Sequence, residues 1–230
     1  GEDTLSLHDA LPISFSWIEE ILKDAKEQDI QVLAVSHQNL LAHNPYFTEG
    51  FLIHRAQELE ALYEKYDVMA NLSGHIHIQH IEDSGLPEIL TSALPVSPHH
   101  YGILEFDGKT LDYQAKILDV ASWAREQGLI DQNLLDFSQA SRAFIEQVSA
   151  RKLESELLDS QLTSLERELL LQTFAQINAD YFAGRQIDPA NHQQGLSLMQ
   201  ETGLSFYPTY IDSILKSAEK GHESFQLELE

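Results

Sequence analysis

The sequence has no cysteine, few basic residues and no long hydrophobic run. The absence of cysteine in 230 residues excludes disulfide bonds and thiolate metal sites but leaves the cellular compartment open. Lysine and arginine total 14 against 37 aspartate and glutamate residues, a formal net charge of -23. So acidic a surface repels phosphate backbones, which argues against nucleic-acid polymers and anionic membranes as partners. No apolar run approaches the length of a transmembrane helix, so none is predicted.

Two short apolar runs in the first third of the chain each end at histidine. The first leads to His37, and the second continues through Gly74 to His75 and His77. Both runs have the length of buried strands, and in open α/β sheets ligands bind beyond the carboxyl ends of the strands. Imidazole binds divalent transition metals, and Gly74 would allow a sharp backbone turn before the pair. The pattern predicts a metal site, with ordinary hydrogen-bonded strand-end histidines as the alternative.

These two blocks resemble the last two signature motifs of the calcineurin-like metallophosphoesterases. The segments HQNLLAHN (37–44) and SGHIHIQH (73–80) are similar to bacterial members related to cyclic-nucleotide phosphodiesterases. The resemblance covers residues 15–116 and, more weakly, the helical remainder. It implies that His37 and His75 bind one ion and His77 its neighbour. It further implies two divalent ions, Fe, Mn or Zn, and a metal-bridging hydroxide that attacks a small phosphodiester such as a cyclic nucleotide.

Several parts of that family pattern are absent or ambiguous in this chain. The earlier blocks, Asp-x-His, Gly-Asp-x-x-Asp and Gly-Asn-His, do not occur upstream of His37. We therefore assign no catalytic residue and expect those groups in a missing N-terminal half. The 230 residues alone are expected neither to hold a dinuclear centre nor to hydrolyse a phosphodiester at a useful rate. His43 and Asn44 would line the substrate cleft, unless they lie in a solvent-exposed loop.

The first residues require a separate interpretation. Residues 4–13 correspond to the translation of a common sequencing-library adapter, so residues 1–14 are expected to be an artefactual leader. The pair His8 and Asp9 is therefore given no function. Since the true N-terminus is expected to be missing, the lack of a signal peptide does not settle localisation, which stays unknown.

The predicted fold class is α/β. From residue 15 helices and strands alternate, which predicts parallel strands joined by crossover helices, and Asp107-Gly108 predicts a hairpin turn. By resemblance, residues 15–118 form the C-terminal half of a truncated metallophosphoesterase α/β/β/α sandwich. The pattern becomes helical near residue 119, so 119–230 are predicted to be an all-α helical bundle.

Within the predicted bundle, Thr163 and Glu166 form a capping box that opens a long helix. Its apolar stripe is predicted from five residues: Leu162, Leu165, Leu169, Ile177 and Tyr181. The remaining histidines of interest are interpreted as ordinary residues and not as ligands: His54, His80, His99 and His100, of which His99 and His100 are placed in a loop and His80 in a strand, 78–81.

Two functions of other classes stay open. The chain could belong to a non-catalytic metal-binding or scaffolding protein, in which the missing ligands are a native property. Alternatively, the helical part could be a docking module for a partner or for dimerisation. The sequence leaves the oligomeric state, the metals and the substrate undetermined.

Overall fold

The computed structural model describes residues 14–158 and 160–229 as a mixed α/β architecture with eight α-helices and two small sheets. Residues 1–13 of the predicted leader lie outside this range. In the described range, no helix combines the length and the apolar character needed to cross a membrane.

The first sheet contains four strands in the order β1-β2-β4-β3. Strand β1 pairs in parallel with β2, β2 pairs in parallel with β4, and β3 runs antiparallel to β4. This confirms the predicted parallel strands, and β1 lies at the edge of the sheet. The bounds are β1 Leu33–Val35, β2 Ala70–Ser73, β3 His80–Glu82 and β4 Glu88–Leu90.

Two helices pack on this sheet. Helix α1 (Phe15–Glu27) and helix α2 (Ala56–Lys65) share one apolar cluster with strand β1, and α2 lies between β1 and β2 in the chain. Leu22 and Leu59 provide the buried side chains of the two helices. The helices bury apolar stripes here because Leu22 and Leu59 meet Ala34 on one face of the sheet.

The second sheet is antiparallel, in the order β5-β6-β7. Its strands are β5 (His100–Phe106), β6 (Thr110–Ile117) and β7 (Ser224–Glu228). The predicted hairpin turn is confirmed, since the Asp107 carboxylate accepts hydrogen bonds from the Lys109 and Thr110 N–H groups and Gly108 has φ +94°. Strand β7 was not predicted, because the sequence analysis assigned 119–230 to helices.

The two sheets face each other through buried side chains of β6. Leu111 packs with Met69 and Ala70 of the first sheet, and Tyr113 packs with Ile81 and Ile89. Burial of such side chains contributes roughly 1.5–3 kcal/mol each to folding. The second sheet therefore covers one face of the strands that carry the candidate site.

Six further helices follow β6 in the chain. Helix α6 lies at their centre and packs against α5, α7 and α8. It begins with the predicted Thr163–Glu166 capping box. Its buried positions include Leu170, Phe174, Ile177 and Tyr181. The bounds are α3 Val120–Glu126, α4 Gln132–Leu135, α5 Phe137–Glu154, α6 Ser164–Phe182, α7 Gln193–Glu201 and α8 Phe206–Ser217, with short 3-10 turns at Ser155–Leu157 and Pro189–His192.

The segment that follows β2 joins the sheet to these helices. Ile76 and Ile78 belong to the same buried cluster as Ile177 and Tyr181 of α6. The Gln79 backbone N–H donates to the Phe182 carbonyl, at a distance of 3.1 Å. The helices thus hold the stretch of chain on which His75 and His77 stand.

Candidate functional site

His37 and His75 meet where two neighbouring parallel strands end. The His37 Nε2 and His75 Nδ1 atoms are 2.9 Å apart, and the ring centroids are 4.8 Å apart with an interplanar angle of 73°. The backbone pairing continues past the strands, because the Gly74 N–H donates to the His37 carbonyl at 3.2 Å. The structure therefore brings His37 and His75 together at one edge of the sheet, while their role as metal ligands stays a prediction.

This spacing suits two ligands of one metal ion. Imidazole nitrogens bind zinc at roughly 2.0–2.1 Å, so two of them on one ion lie roughly 2.9–3.4 Å apart for angles between 90° and tetrahedral. The separation of the two nitrogens, 2.9 Å, lies at the short end of that range. Without an ion, one ring donates a hydrogen bond to the other.

His77 is placed differently from the other two. Its side chain is exposed, two residues beyond His75 and separated from it by buried Ile76. Among residues 14–158 and 160–229, no three His, Cys, Asp or Glu residues form a group that could hold a metal. The structure brings together His37 and His75, while the assignment of His77 to a second ion stays a prediction.

The backbone turn in this segment lies on the histidines. His75 has φ 66° and His77 has φ 64°, in the left-handed region that residues other than glycine seldom adopt. The expectation that Gly74 makes the sharp turn is wrong, because the positive φ values fall on the histidines. The left-handed residues alternate with Ile76 and Ile78, which are both buried. Such strain costs about 1–3 kcal/mol per residue and concentrates at functional sites.

A buried amide joins the two strand ends and was missed in the sequence. The Asn39 Nδ2 donates to Ser73 Oγ at 3.0 Å and to the Gly74 carbonyl at 2.9 Å. Asn39 is 1% exposed, so these bonds are shielded from water. They fix the loop after His37 to the residues before His75, which holds the two imidazoles in register. An asparagine two residues after a strand-end histidine was the available signal.

His43 and Asn44 are buried, so the alternative of a solvent-exposed loop is wrong. The His43 ring contacts Glu88 through Nε2 at 3.1 Å and His80 through Nδ1 at 2.8 Å. The Asn44 Nδ2 donates to the Tyr181 hydroxyl at 3.0 Å, and burial raises the pKa of that phenol to about 12. Their polar atoms are thus bonded to protein groups, and the substrate-lining role stays a prediction.

The other histidines divide into two classes. His54 and His99 lie in loops, whereas His80 lies in β3, in agreement with the predicted strand, and His100 begins β5. Both strand histidines are buried, and the loop interpretation is wrong for His100. Burial, followed by the nearby His222 and His43, lowers the pKa of His80 to about 2. Burial, followed by Arg185 and His99, lowers the pKa of His100 to about 4.

These shifts predict that the fold loses stability in mild acid. Below the ordinary histidine pKa of 6.5 the unfolded chain takes up protons that the folded chain excludes, so stability present above pH 6.5 is lost as the pH falls. Between pH 8 and pH 5 we expect a loss of about 2 kcal/mol for each such histidine. Urea unfolding at the two pH values measures this difference.

The matched variants for that measurement are His100→Gln and His54→Gln. His100→Gln should remove about 2 kcal/mol of the pH dependence, since the glutamine takes up no proton in either state. His54→Gln alters an exposed side chain and should leave the dependence as it is. Equal slopes for His100→Gln and the unmodified protein would contradict the assignment.

Comparison with known families gives one match, in the helical part of the chain. Residues 119–221 match a family model described as the C-terminal domain of cyclic nucleotide phosphodiesterase. The match covers less than half of the chain and lies outside the segment that carries His37, His75 and His77. No curated protein matches the sequence.

Proposed function

We propose that this chain supplies one half of a calcineurin-like, dinuclear-metal phosphoesterase that hydrolyses phosphodiesters, with cyclic nucleotides as the model substrate class. The observation that carries the proposal is the convergence of His37 and His75 at the ends of adjacent parallel strands. The family match of residues 119–221 supports a phosphodiesterase-like protein from an independent part of the chain.

The residues present fit part of a metal centre. His37 and His75 would hold one divalent ion, Fe, Mn or Zn, and His77 would face the second. Such a pair of ions neutralises phosphate charge and activates water near neutral pH. The chain's own contribution is positional: Asn39 holds the two strand ends together, and the left-handed backbone at His75 directs its ring toward His37. The acidic surface makes a metal necessary for binding an anionic ester.

The carboxylate ligands that the family uses would come from polypeptide that pairs with the free side of β1. Parallel sheets are ordinarily covered on both faces and continued at their edges. Here Val35 of β1 is 75% exposed and Trp17 of α1 is 62% exposed. These side chains line an apolar cleft of about 960 Å³ that ends at His37 and His75. Neighbouring strands would cover this surface and bring ligands to the same edge.

A non-catalytic metal-binding protein is the second candidate. It is favoured by the absence of the Asp-x-His, Gly-Asp-x-x-Asp and Gly-Asn-His blocks upstream of His37. The two candidates differ in what an upstream segment would contribute. An in-frame Asp-x-His and Gly-Asp-x-x-Asp would support the enzyme, whereas a native start without them would support the binding protein.

Metal titration and an esterase assay of the 230-residue chain test the proposal. We expect Zn²⁺ or Mn²⁺ to bind weakly at one site, and bis-p-nitrophenyl phosphate to remain unhydrolysed. His75→Ala should weaken binding by at least about tenfold, because it removes one of two ligands. His54→Ala, which changes an exposed histidine, is the control. Turnover that His75→Ala abolishes would contradict the need for further ligands, and binding unaffected by His37→Ala and His75→Ala would contradict the site.

A further inference from the structure

The most completely bonded carboxylate of the described chain is Glu88 in β4, which is fully buried. Its Oε1 accepts hydrogen bonds from the Leu40 N–H at 2.8 Å and from Asn71 Nδ2 at 2.7 Å. Its Oε2 accepts from the Leu41 N–H at 2.5 Å and lies 3.1 Å from His43 Nε2. Four donors therefore converge on one side chain in a region shielded from water.

These contacts keep Glu88 ionised. Burial raises the pKa of the carboxyl, but the hydrogen bond and charge of His43 and the Leu40 N–H outweigh it, so the pKa lies below its ordinary value. An ionised carboxylate accepts hydrogen bonds and donates none. His43 must therefore present a protonated Nε2 to Glu88.

A relay of hydrogen bonds continues from His43. Its Nδ1 lies 2.8 Å from His80 Nδ1, and His80 Nε2 lies 2.6 Å from the Ser217 hydroxyl. Each contact shares one proton, so the proton positions on His43 and His80 are linked. The relay thus joins Ser217, at the end of α8, through His80 and His43 to Glu88.

The surroundings leave His80 neutral. The His222 ring is stacked on it at 3.9 Å, accepts the Ile81 N–H on Nδ1 and donates from Nε2 to the Ser217 carbonyl. Both nitrogens of His222 are thus occupied.

A cavity of about 490 Å³ opens beside the relay, and the charged residues that line it are Glu82, Asp83, Lys216, Glu219 and Lys220.

We propose that Glu88 is a positioning residue for the edge of the sheet that carries His37 and His75, and that the relay couples this edge to the end of α8. Leu40 and Leu41 follow His37 within four residues, so the carboxylate fixes the loop that begins at that histidine. Through Asn71, the same carboxylate fixes β2 just before it delivers His75. Only the metal-binding purpose of this edge rests on the proposed function.

Nuclear magnetic resonance of the histidine rings tests the relay without metal or substrate. In the unmodified protein we expect His43 to carry a proton on Nε2, facing the Glu88 carboxylate. In Glu88→Gln the amide donates to His43 Nε2, which should lose that proton, so the ring signals of His43 and His80 should both shift. The ring signals of His37 and His75 should move as well. Glu82→Gln is the matched control, since it removes an equal charge from the paired position of the neighbouring strand β3 and should leave the four rings unchanged.

Ser217→Ala tests the coupling from the other end, at a partly exposed position where loss of the fold is not expected. It removes the hydroxyl partner of His80 and should shift the signals of His80, His43 and His37. Shifts that stop at His43 would overturn the coupling. A His43 Nε2 that carries no proton in the unmodified protein would overturn the contact with Glu88, even if Glu88→Gln does not fold. A failure of the chain to bind Zn²⁺ would count against the proposed function, but it would not change the results expected for the histidine ring signals.

Discussion

Replacing Ile78 by alanine is expected to lower the free energy of unfolding by about 2–5 kcal/mol. Ile78 is completely buried in the cluster that contains Ile177 and Tyr181 of α6, so the shorter side chain leaves a cavity between the histidine segment and the helices. Because the left-handed backbone at His75 and His77 depends on that anchoring, the segment should also exchange its amide hydrogens faster. Urea unfolding and hydrogen exchange measure the two effects.

The control is Ile130→Ala, which removes the same atoms from a side chain that is 91% exposed. We expect its effect to stay within about 0.5 kcal/mol. Similar losses for the two variants would show that Ile78 does not anchor the segment. Unchanged hydrogen exchange at residues 75–77 in Ile78→Ala would show that packing in the helical core does not stabilise the candidate site.

Replacing Gly184 by alanine is expected to cost about 2–5 kcal/mol, the sum of a left-handed backbone penalty and overpacking. Gly184 follows α6 with φ +67°, a conformation that L residues rarely adopt. A Cβ there would lie 2.7 Å from the Gln79 carbonyl oxygen and 2.5 Å from Gln79 Cγ. Since Gln79 follows the histidine pair, relief of the clash should displace that segment. Thermal or urea unfolding measures the cost.

Gly128→Ala separates the left-handed backbone penalty from the overpacking. Gly128 has the same φ of +67° after α3, but an added Cβ would meet no atom within 4 Å. Only the backbone penalty of about 1 kcal/mol should remain. Equal costs at the two glycines would mean that Gln79 yields freely and that α6 does not constrain the histidine segment.

The sequence predicted the pairing of His37 with His75 because two adjacent parallel strands necessarily end at one edge of a sheet. It did not reveal Glu88 or Asn39, whose contacts join residues 17 to 48 positions apart. No local pattern marks such contacts, since an isolated glutamate in an apolar strand reads as an exposed residue. The buried hydrogen-bond networks around the site could be identified only from the structure.

In the helical part, the sequence did not identify correctly which face of α6 is buried. In α6 the predicted stripe included Leu165, which is 78% exposed, and Leu169, whereas Leu170 is fully buried. The run Leu169-Leu170-Leu171 offers three apolar neighbours, so periodicity alone did not choose the inward face. Packing against α5 and α7 selected Leu170, together with Phe174 and Ile177.

Strand β7 would hold the two parts of the chain together after a cut between them. Leaving α8, the polypeptide returns to pair along β6, with Leu227 beside Leu111 in the register. A protease nick in the exposed connection at residues 128–131 would therefore leave two pieces that still share one hydrogen-bonded sheet. The pieces should migrate together on a sizing column and separate only in denaturant. A fragment cut at the borders of the family match, 119 and 221, would lack the strand that fastens it to its neighbour.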